Sequence, residues 1–267
     1  MASENNKKQK VVLITGSSQG IGQATALRFA QAGWSVVLAA RSEGKLQNVA
    51  KQVEAAGGQA LAVTTDLADP AQIDRLFEKS ANRFGRLDCL VNNAVMSKSC
   101  DPHKFPLADW NEMMAVNLTA PFLCAQRAVQ QMLDTGDGGS IINVSSIMSK
   151  LSMGTSLPYV VAKGGLEAMT RELAIRYGPD NIRAVSVLPG DIDTGITDTW
   201  AVDAKALMAH FHDMLPIERA GRPEEVADLI FFLASDQAGY ISGTEITIDG
   251  GRSPALYPKS LWRKQLK

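Results

Sequence analysis

The sequence predicts an α/β domain in which a doubly wound, seven-stranded parallel sheet carries helices on both faces. Three observations point there. Short β-branched runs alternate with longer helical patterns along the 267-residue chain. The runs are almost continuously apolar, as strands covered on both faces must be. The segments joining them are short, which suits strand–helix–strand crossovers.

Strands are expected at 11–15 (VVLIT), 35–40 (SVVLAA), 60–65 (ALAVTT), 87–93 (LDCLVNN), 140–146 (SIINVSS), 182–188 (IRAVSVL) and 244–249 (TEITID). Helical patterns lie between them near 21–32, 43–56, 70–84, 107–133, 158–177 and 223–234. Pro223 followed by Glu224 and Glu225 opens the last helix well, because proline fits the first helical position and acids suit the first turn. Residues 190–222 are the least regular long stretch and read as a lid with a short helix at 201–212. The tail from about 253 to 267 mixes apolar and basic residues and is expected to pack on its own or a neighbouring subunit. With no repeat, low-complexity tract or linker, residues 1–267 read as one domain.

Composition narrows the function classes. Twenty-seven basic and 28 acidic residues leave a formal net charge of -1, and no basic stripe interleaved with aromatics marks a nucleic-acid surface. No apolar run is long enough to span a membrane, and MASENNKKQK lacks the apolar core of a secretory signal. Cys89, Cys100 and Cys124 have neither disulfide-framework nor zinc spacing; Cys100, in a polar loop, is the candidate reactive thiol. His103, His210 and His212 show no ligand spacing, so no metal is expected. The expectation is a soluble, cytoplasmic protein acting on a small molecule, with no nucleic-acid or membrane partner.

Directly after the first strand comes TGSSQGIG, Thr15 to Gly22. Gly16, Gly20 and Gly22 stand where a strand turns sharply into a helix whose N-terminus can face a pyrophosphate. The spacing is not G-x-G-x-x-G, but the strand–turn–helix context is the required one. The second strand ends Ala39-Ala40 and is followed by Arg41 and Ser42. A dinucleotide site for NAD ends this strand with an acid that bonds the adenosine ribose. Here no carboxylate would repel a 2′-phosphate, and the Arg41 fork can pair with one. NADP(H) is therefore favoured; NAD(H), with Arg41 an ordinary surface charge, stays open.

At this point the sequence resembles the short-chain dehydrogenase/reductase family over residues 8 to 252. The matches come in family order: TGSSQGIG, Asp66-Leu67, NNAV, VNLTAPF, NVSS, YVVAK, LPGDIDT and IDGG. The resemblance implies a single-domain Rossmann fold and a nicotinamide cofactor held by Gly16, Ser18, Gly20, Ile21, Gly22, Arg41, Asp66, Leu67, Asn93, Ala94, Tyr159, Lys163, Pro189, Gly190, Ile192 and Thr194. Asp66 would sit by the adenine, and Pro189, Gly190 and Thr194 on the nicotinamide side. It also implies a homotetramer, with the helices near 107–133 and 158–177 pairing between subunits. The family's catalytic tetrad falls on Asn117, Ser146, Tyr159 and Lys163. Ser146 is preferred to Ser145 because it lies thirteen residues before the tyrosine. One departure stands out: Val95 replaces the glycine of the family's NNAG, and valine adopts positive φ only at a cost.

The chemistry accounts for these residue types. Interconverting an alcohol and a ketone moves a hydride on carbon and a proton on oxygen. Tyr159 would carry the proton, and a free phenol, with a pKa of about 10, is poorly matched to neutral pH. Lys163, at i+4 on the same helical face, is expected to lower it and to hold a nicotinamide ribose hydroxyl. Ser146 would donate to the substrate oxygen, and Asn117 would anchor a water that passes the proton outward.

The substrate is expected among Met96, Ser146, Met148, Leu157, Tyr159, Asp191 and Trp200, with Met153 nearby. Acids after Gly190 disfavour an anionic substrate, so a neutral sugar, polyol or small ketone is preferred. The alternative is a 3-oxoacyl-[acyl-carrier-protein] reductase-like enzyme; its two carrier-docking arginines are replaced here by Gln130 and Asp180. An alternative of another class is a non-catalytic NADP(H)-binding sensor or scaffold, against which the intact tetrad argues.

Overall fold

The structure, a computed structural model, describes residues 9–152, 154, 156–194 and 213–262. The expected helix at 201–212, together with Met153, Trp200, His210 and His212, lies outside the described residues. The described strands form one seven-stranded sheet in the order β3-β2-β1-β4-β5-β6-β7, and every neighbouring pair is parallel. The strands are β1 (Val11–Thr15), β2 (Ser35–Ala40), β3 (Gln59–Thr64), β4 (Cys89–Asn92), β5 (Gly139–Val144), β6 (Ile182–Pro189) and β7 (Thr244–Ile248). The helices are α1 (Gly20–Gln31), α2 (Glu43–Ala55), α3 (Pro70–Phe84), α4 (Leu107–Met114), α5 (Ala120–Thr135), α6 (Leu157–Tyr177), α7 (Pro223–Ala234) and α8 (Lys259–Trp262).

The continuous apolar strands divide their residues between two cores, because successive side chains point to opposite faces. Val12 and Ile14 of β1 enter the core covered by α1, α2 and α7, where Phe29, Leu46, Val49, Ile230 and Leu233 meet them. Val11 and Leu13 enter the opposite core, filled by Ile73, Leu76 and Phe77 of α3 and by Cys124, Ala128 and Met132 of α5. Helices on both faces follow from right-handed crossovers that run one way from β1 to β3 and the other way from β4 to β7. Strand order therefore reverses between β1 and β4, and the crevice outside their carboxyl ends is where such sheets bind ligands.

Local chemistry sets the element ends. Asp69 caps α3 by accepting from the Ala71 N–H at 2.9 Å, Pro70 takes the first helical position, and Gly85 ends the helix at φ 69°. The expected long helix at 107–133 is interrupted. α4 and α5 are joined by a π-helical turn, Ala115–Thr119, that carries Asn117. A wide turn inside a helix marks functional positions often enough to draw attention to this residue. Among the described residues, no helix is long and apolar enough to cross a membrane.

Candidate active site

The loop after β1 is locked to the loop after β4. The Thr15 hydroxyl accepts from the N–H groups of Asn93 (3.0 Å) and Ala94 (3.1 Å). In return, the Asn93 amide donates to the carbonyls of Thr15 (2.9 Å) and Gly16 (3.2 Å). Gly16 and Gly20 lie at φ 66° and 56°, where a side chain is strained. A Cβ on Gly16 would come 2.7 Å from Ala94 Cα, and one on Gly22 would run into the Gly16 carbonyl. Glycine is thus required twice over, by conformation and by space.

Above this loop opens a cavity of about 510 Å³. Of the cofactor residues expected from sequence, Gly16, Ser18, Gly20, Ile21, Arg41, Asp66, Leu67, Asn93, Ala94 and Thr194 line it. Gly22 lies beneath the glycine loop, and Tyr159, Lys163, Pro189, Gly190 and Ile192 fall outside the lining. The cavity fits a dinucleotide. Its floor is a loop that admits no Cβ, the start of α1 faces it, and its far end carries cations. One of those cations was missed in the sequence: Lys45, in the first turn of α2, whose ammonium donates to Gln19 Oε1 at 2.9 Å. A basic residue one helical turn beyond Arg41 and Ser42 was the available signal.

Val95 lines the same cavity, half exposed, and its backbone does not enter the positive-φ region. The loop therefore does not need the family glycine here. Met96 stands beside it. Asn117 is buried, and its side-chain amide makes two hydrogen bonds to this loop. Oδ1 accepts from the Met96 N–H and Nδ2 donates to the Met96 carbonyl, both at 2.8 Å. Its amide thus braces the cavity wall.

Ser146, Tyr159 and Lys163 come together where the end of β5 meets the first two turns of α6. Pro158 occupies the first turn of that helix. The Ser146 hydroxyl lies on the Tyr159 side of this junction and accepts from the Met148 N–H at 3.1 Å. Lys163 is buried; its ammonium lies 5.6 Å from the Tyr159 ring centroid and donates to the Val144 carbonyl at 2.7 Å. Burial depresses the Lys163 ammonium to about 8. Burial also pushes the Tyr159 phenol above its ordinary value, and the Ser146 hydrogen bond opposes this only in part. The net shift of the phenol is upward because desolvation dominates, while the ammonium points at the Val144 carbonyl.

The remaining expected positions surround this cluster. Met148 is half-buried in the turn Ile147–Ser149, and Leu157 is exposed on the first turn of α6. Gly190 leaves β6 so close to β7 that a Cβ would come 2.6 Å from Asp249 Cβ. Asp191 accepts from the Gly221 N–H at 2.8 Å, and Asp193 N–H donates to the Gly221 carbonyl at 2.8 Å, with Ile192 bridging Gly221 between them. This short bridge ties together the two ends of the expected lid. Trp200 is outside the described residues. Cys89 and Cys124 are buried and their thiols pushed up to about 12; Cys100 is only partly buried. Among the described residues, no cluster of potential metal ligands occurs.

A family model described as enoyl-(acyl carrier protein) reductase matches residues 16–253. The chain is 38% identical over 244 residues to cis-4-hydroxycyclohexanecarboxylate dehydrogenase of Sinomonas cyclohexanicum, covering 91% of this chain and 96% of the relative. It is 36% identical over 253 residues to 3beta-hydroxysteroid dehydrogenase 1 of Eggerthella lenta, covering 94% and 95%. The crystal structure of a short-chain type dehydrogenase/reductase from Mycobacterium marinum superimposes with a TM-score of 0.86 at 34% identity, covering 91% and 95%. With the glycine-floored crevice and the seven-stranded parallel sheet, these likenesses show that the chain is an oxidoreductase belonging to the short-chain dehydrogenase/reductase family.

Proposed function

We propose that this oxidoreductase interconverts a secondary alcohol and a ketone with NADP(H), its substrate being a neutral sugar, a polyol or a small ketone. The observation that carries the reading is the convergence of Ser146, Tyr159 and the buried Lys163 where the end of β5 meets α6, the Lys163 ammonium lying 5.6 Å from the Tyr159 ring centroid. When bound, the nicotinamide supplies or takes up the hydride. Gly16, Ser18, Gly20 and Ile21 would hold its pyrophosphate, Asp66 and Leu67 its adenine, and Arg41 a 2′-phosphate.

In the reducing direction, Tyr159 Oη gives its proton to the carbonyl oxygen as that oxygen gains charge. Its elevated pKa keeps the proton in place at neutral pH. Ser146 Oγ donates a hydrogen bond to the same oxygen. Lys163 stabilises the phenolate left behind, which its buried charge does more strongly than it would in water. Asn117 keeps Met96 and Val95 in place at the wall. In the oxidising direction the phenolate takes the alcohol proton.

Two relatives named for hydroxyl-bearing substrates support the reaction class. An acyl-carrier-linked substrate is the second reading, favoured by the description of the matching family model. Against it, Gln130 bonds Asp134 at 2.7 Å and Asp180 is itself acidic, so neither position offers a docking cation. Outward-facing Phe122 on α5, with Val161 and Ile175 on α6, supports a homotetramer built on those helices. Two buried free thiols among three cysteines support a reducing compartment, the cytoplasm.

The test is a spectrophotometric screen of sugars, polyols, simple alcohols, ketones and 3-oxoacyl thioesters with each nicotinamide. NADP(H)-linked turnover of a neutral alcohol–ketone pair is expected. Efficient reduction of 3-oxoacyl thioesters would replace the substrate assignment. Tight cofactor binding with no turnover of any compound would favour a sensor or scaffold.

A further inference from the structure

Three consecutive residues leaving β5 each grip α6, and only two of the three grips belong to the groups assigned above. Val144 does so through its carbonyl, which accepts from Lys163, and Ser146 by facing Tyr159. Between them, the buried Ser145 hydroxyl lies 3.1 Å from both the Lys163 carbonyl and Glu167 Oε1. Glu167 stands one helical turn after Lys163 and is itself buried. A carboxylate so placed needs compensation. Part comes from the Ser145 hydroxyl, part from Lys150, whose ammonium lies 3.4 Å from Glu167 Oε2.

Lys150 follows the turn Ile147–Ser149 that begins at Ser146 and carries Met148. Its ammonium also reaches Glu245 on β7 at 3.3 Å, and Glu245 in turn pairs with Arg171 of α6 at 2.6 Å. Glu167 is thus the buried node joining the end of β5, the loop after it and the tyrosine helix. Nothing in the hydride and proton chemistry uses this carboxylate.

We infer that Glu167 is a positioning residue: through Ser145 it sets the register of β5 against α6, and with it the placement of Ser146 relative to Tyr159. Through Lys150 it holds the loop bearing Met148 against the same helix. This rests on the proposed roles of Ser146 and Tyr159. Buried polar nodes of this kind specify geometry more than they add stability. Replacing Glu167 should therefore reduce the chemical step while leaving the nucleotide crevice, built on other loops, unaffected.

The test compares Glu167→Gln, Glu167→Leu and Lys150→Met in the full chain. Turnover is followed on the panel alcohol oxidised fastest by the wild type, and NADPH affinity by protein fluorescence quenching. Glu167→Leu is expected to lower kcat about tenfold or more, Glu167→Gln about threefold, and both to keep NADPH affinity within about twofold. Lys150→Met, an exposed change that does not threaten folding, should lower kcat/KM about threefold alone and have no further effect beside Glu167→Leu. Glu167→Leu with wild-type kcat would overturn the inference. So would parallel losses of kcat and NADPH affinity, or a Lys150→Met effect that is undiminished beside Glu167→Leu.

If the wild type turns over nothing, the proposed reaction fails separately, and the phenol titration decides this inference. Its tyrosinate absorbance, taken against Tyr159→Phe as blank, should shift between wild type and Glu167→Leu. Identical titrations would overturn it.

Discussion

The Lys163 ammonium donates to the Val144 carbonyl at 2.7 Å while lying 5.6 Å from the Tyr159 ring centroid. One cation therefore does two things: it ties α6 to the end of β5, and it places a positive charge beside the phenol. The ammonium is buried and the phenol desolvated, so each disfavours its own charged form, the phenol losing its proton late and the ammonium losing its proton early.

This ordering fixes a pH dependence. Oxidation of an alcohol needs the phenolate, whereas reduction of a ketone needs the phenol. With the phenol raised, kcat/KM for oxidation should climb with pH above neutrality, and kcat/KM for reduction should stay level near pH 7 and fall on the alkaline side. The ammonium, at about 8, discharges before the phenol, so the oxidation profile should bend where Lys163 loses its charge. Rate profiles in both directions check this; an oxidation rate that is flat from neutral to alkaline pH would remove Tyr159 as the base.

Burying Lys163 has a cost in stability. Its folded value of about 8 lies below the ordinary 10.5, a difference that corresponds to about 3 kcal/mol of penalty on the charged form. The penalty is fully present below about pH 8; between there and 10.5 the unfolded chain holds a proton the folded chain has released, so this contribution becomes more favourable to folding as pH rises. Lys163→Met, which removes the charge and leaves the Val144 carbonyl unpaired, should stabilise the protein at pH 7 by about 1–2 kcal/mol. Activity should be lost in the same variant, and urea unfolding of the two proteins measures the difference. A destabilised variant would show that the Val144 bond outweighs the buried charge.

Arg41 and Lys45 flank the same end of the crevice. Arg41→Ala and Lys45→Ala are each expected to weaken NADPH about five- to tenfold and to leave NADH within about twofold, since each removes one cation from a phosphate that only NADPH carries. Fluorescence titration with both nucleotides checks this. Equal weakening of both nucleotides would make either residue a general wall of the crevice.

Much of this was legible in the chain because the relevant patterns are local. Buried parallel strands read as unbroken apolar runs, and the turn at Gly16–Gly22 carries its own signature; both were placed to within a residue or two. The i+4 spacing of Tyr159 and Lys163 put them on one helical face. What depended on direction in space was not legible. Sequence spacing says that an ammonium is near a phenol, but not that it points at Val144. The same holds for Asn117, whose amide turns to Met96 in a π-helical turn. Lys45 escaped notice because it reaches the crevice across a helix start, and Glu167 because it pairs with Lys150 seventeen residues earlier along the chain.

The most direct test of the account is Tyr159→Phe, assayed for NADPH affinity by fluorescence and for turnover on the best panel substrate. Removing only the hydroxyl leaves the ring and the crevice in place. Affinity within about twofold of wild type and kcat lower by about a thousandfold are expected if Tyr159 carries the proton. Turnover at the wild-type rate would contradict it.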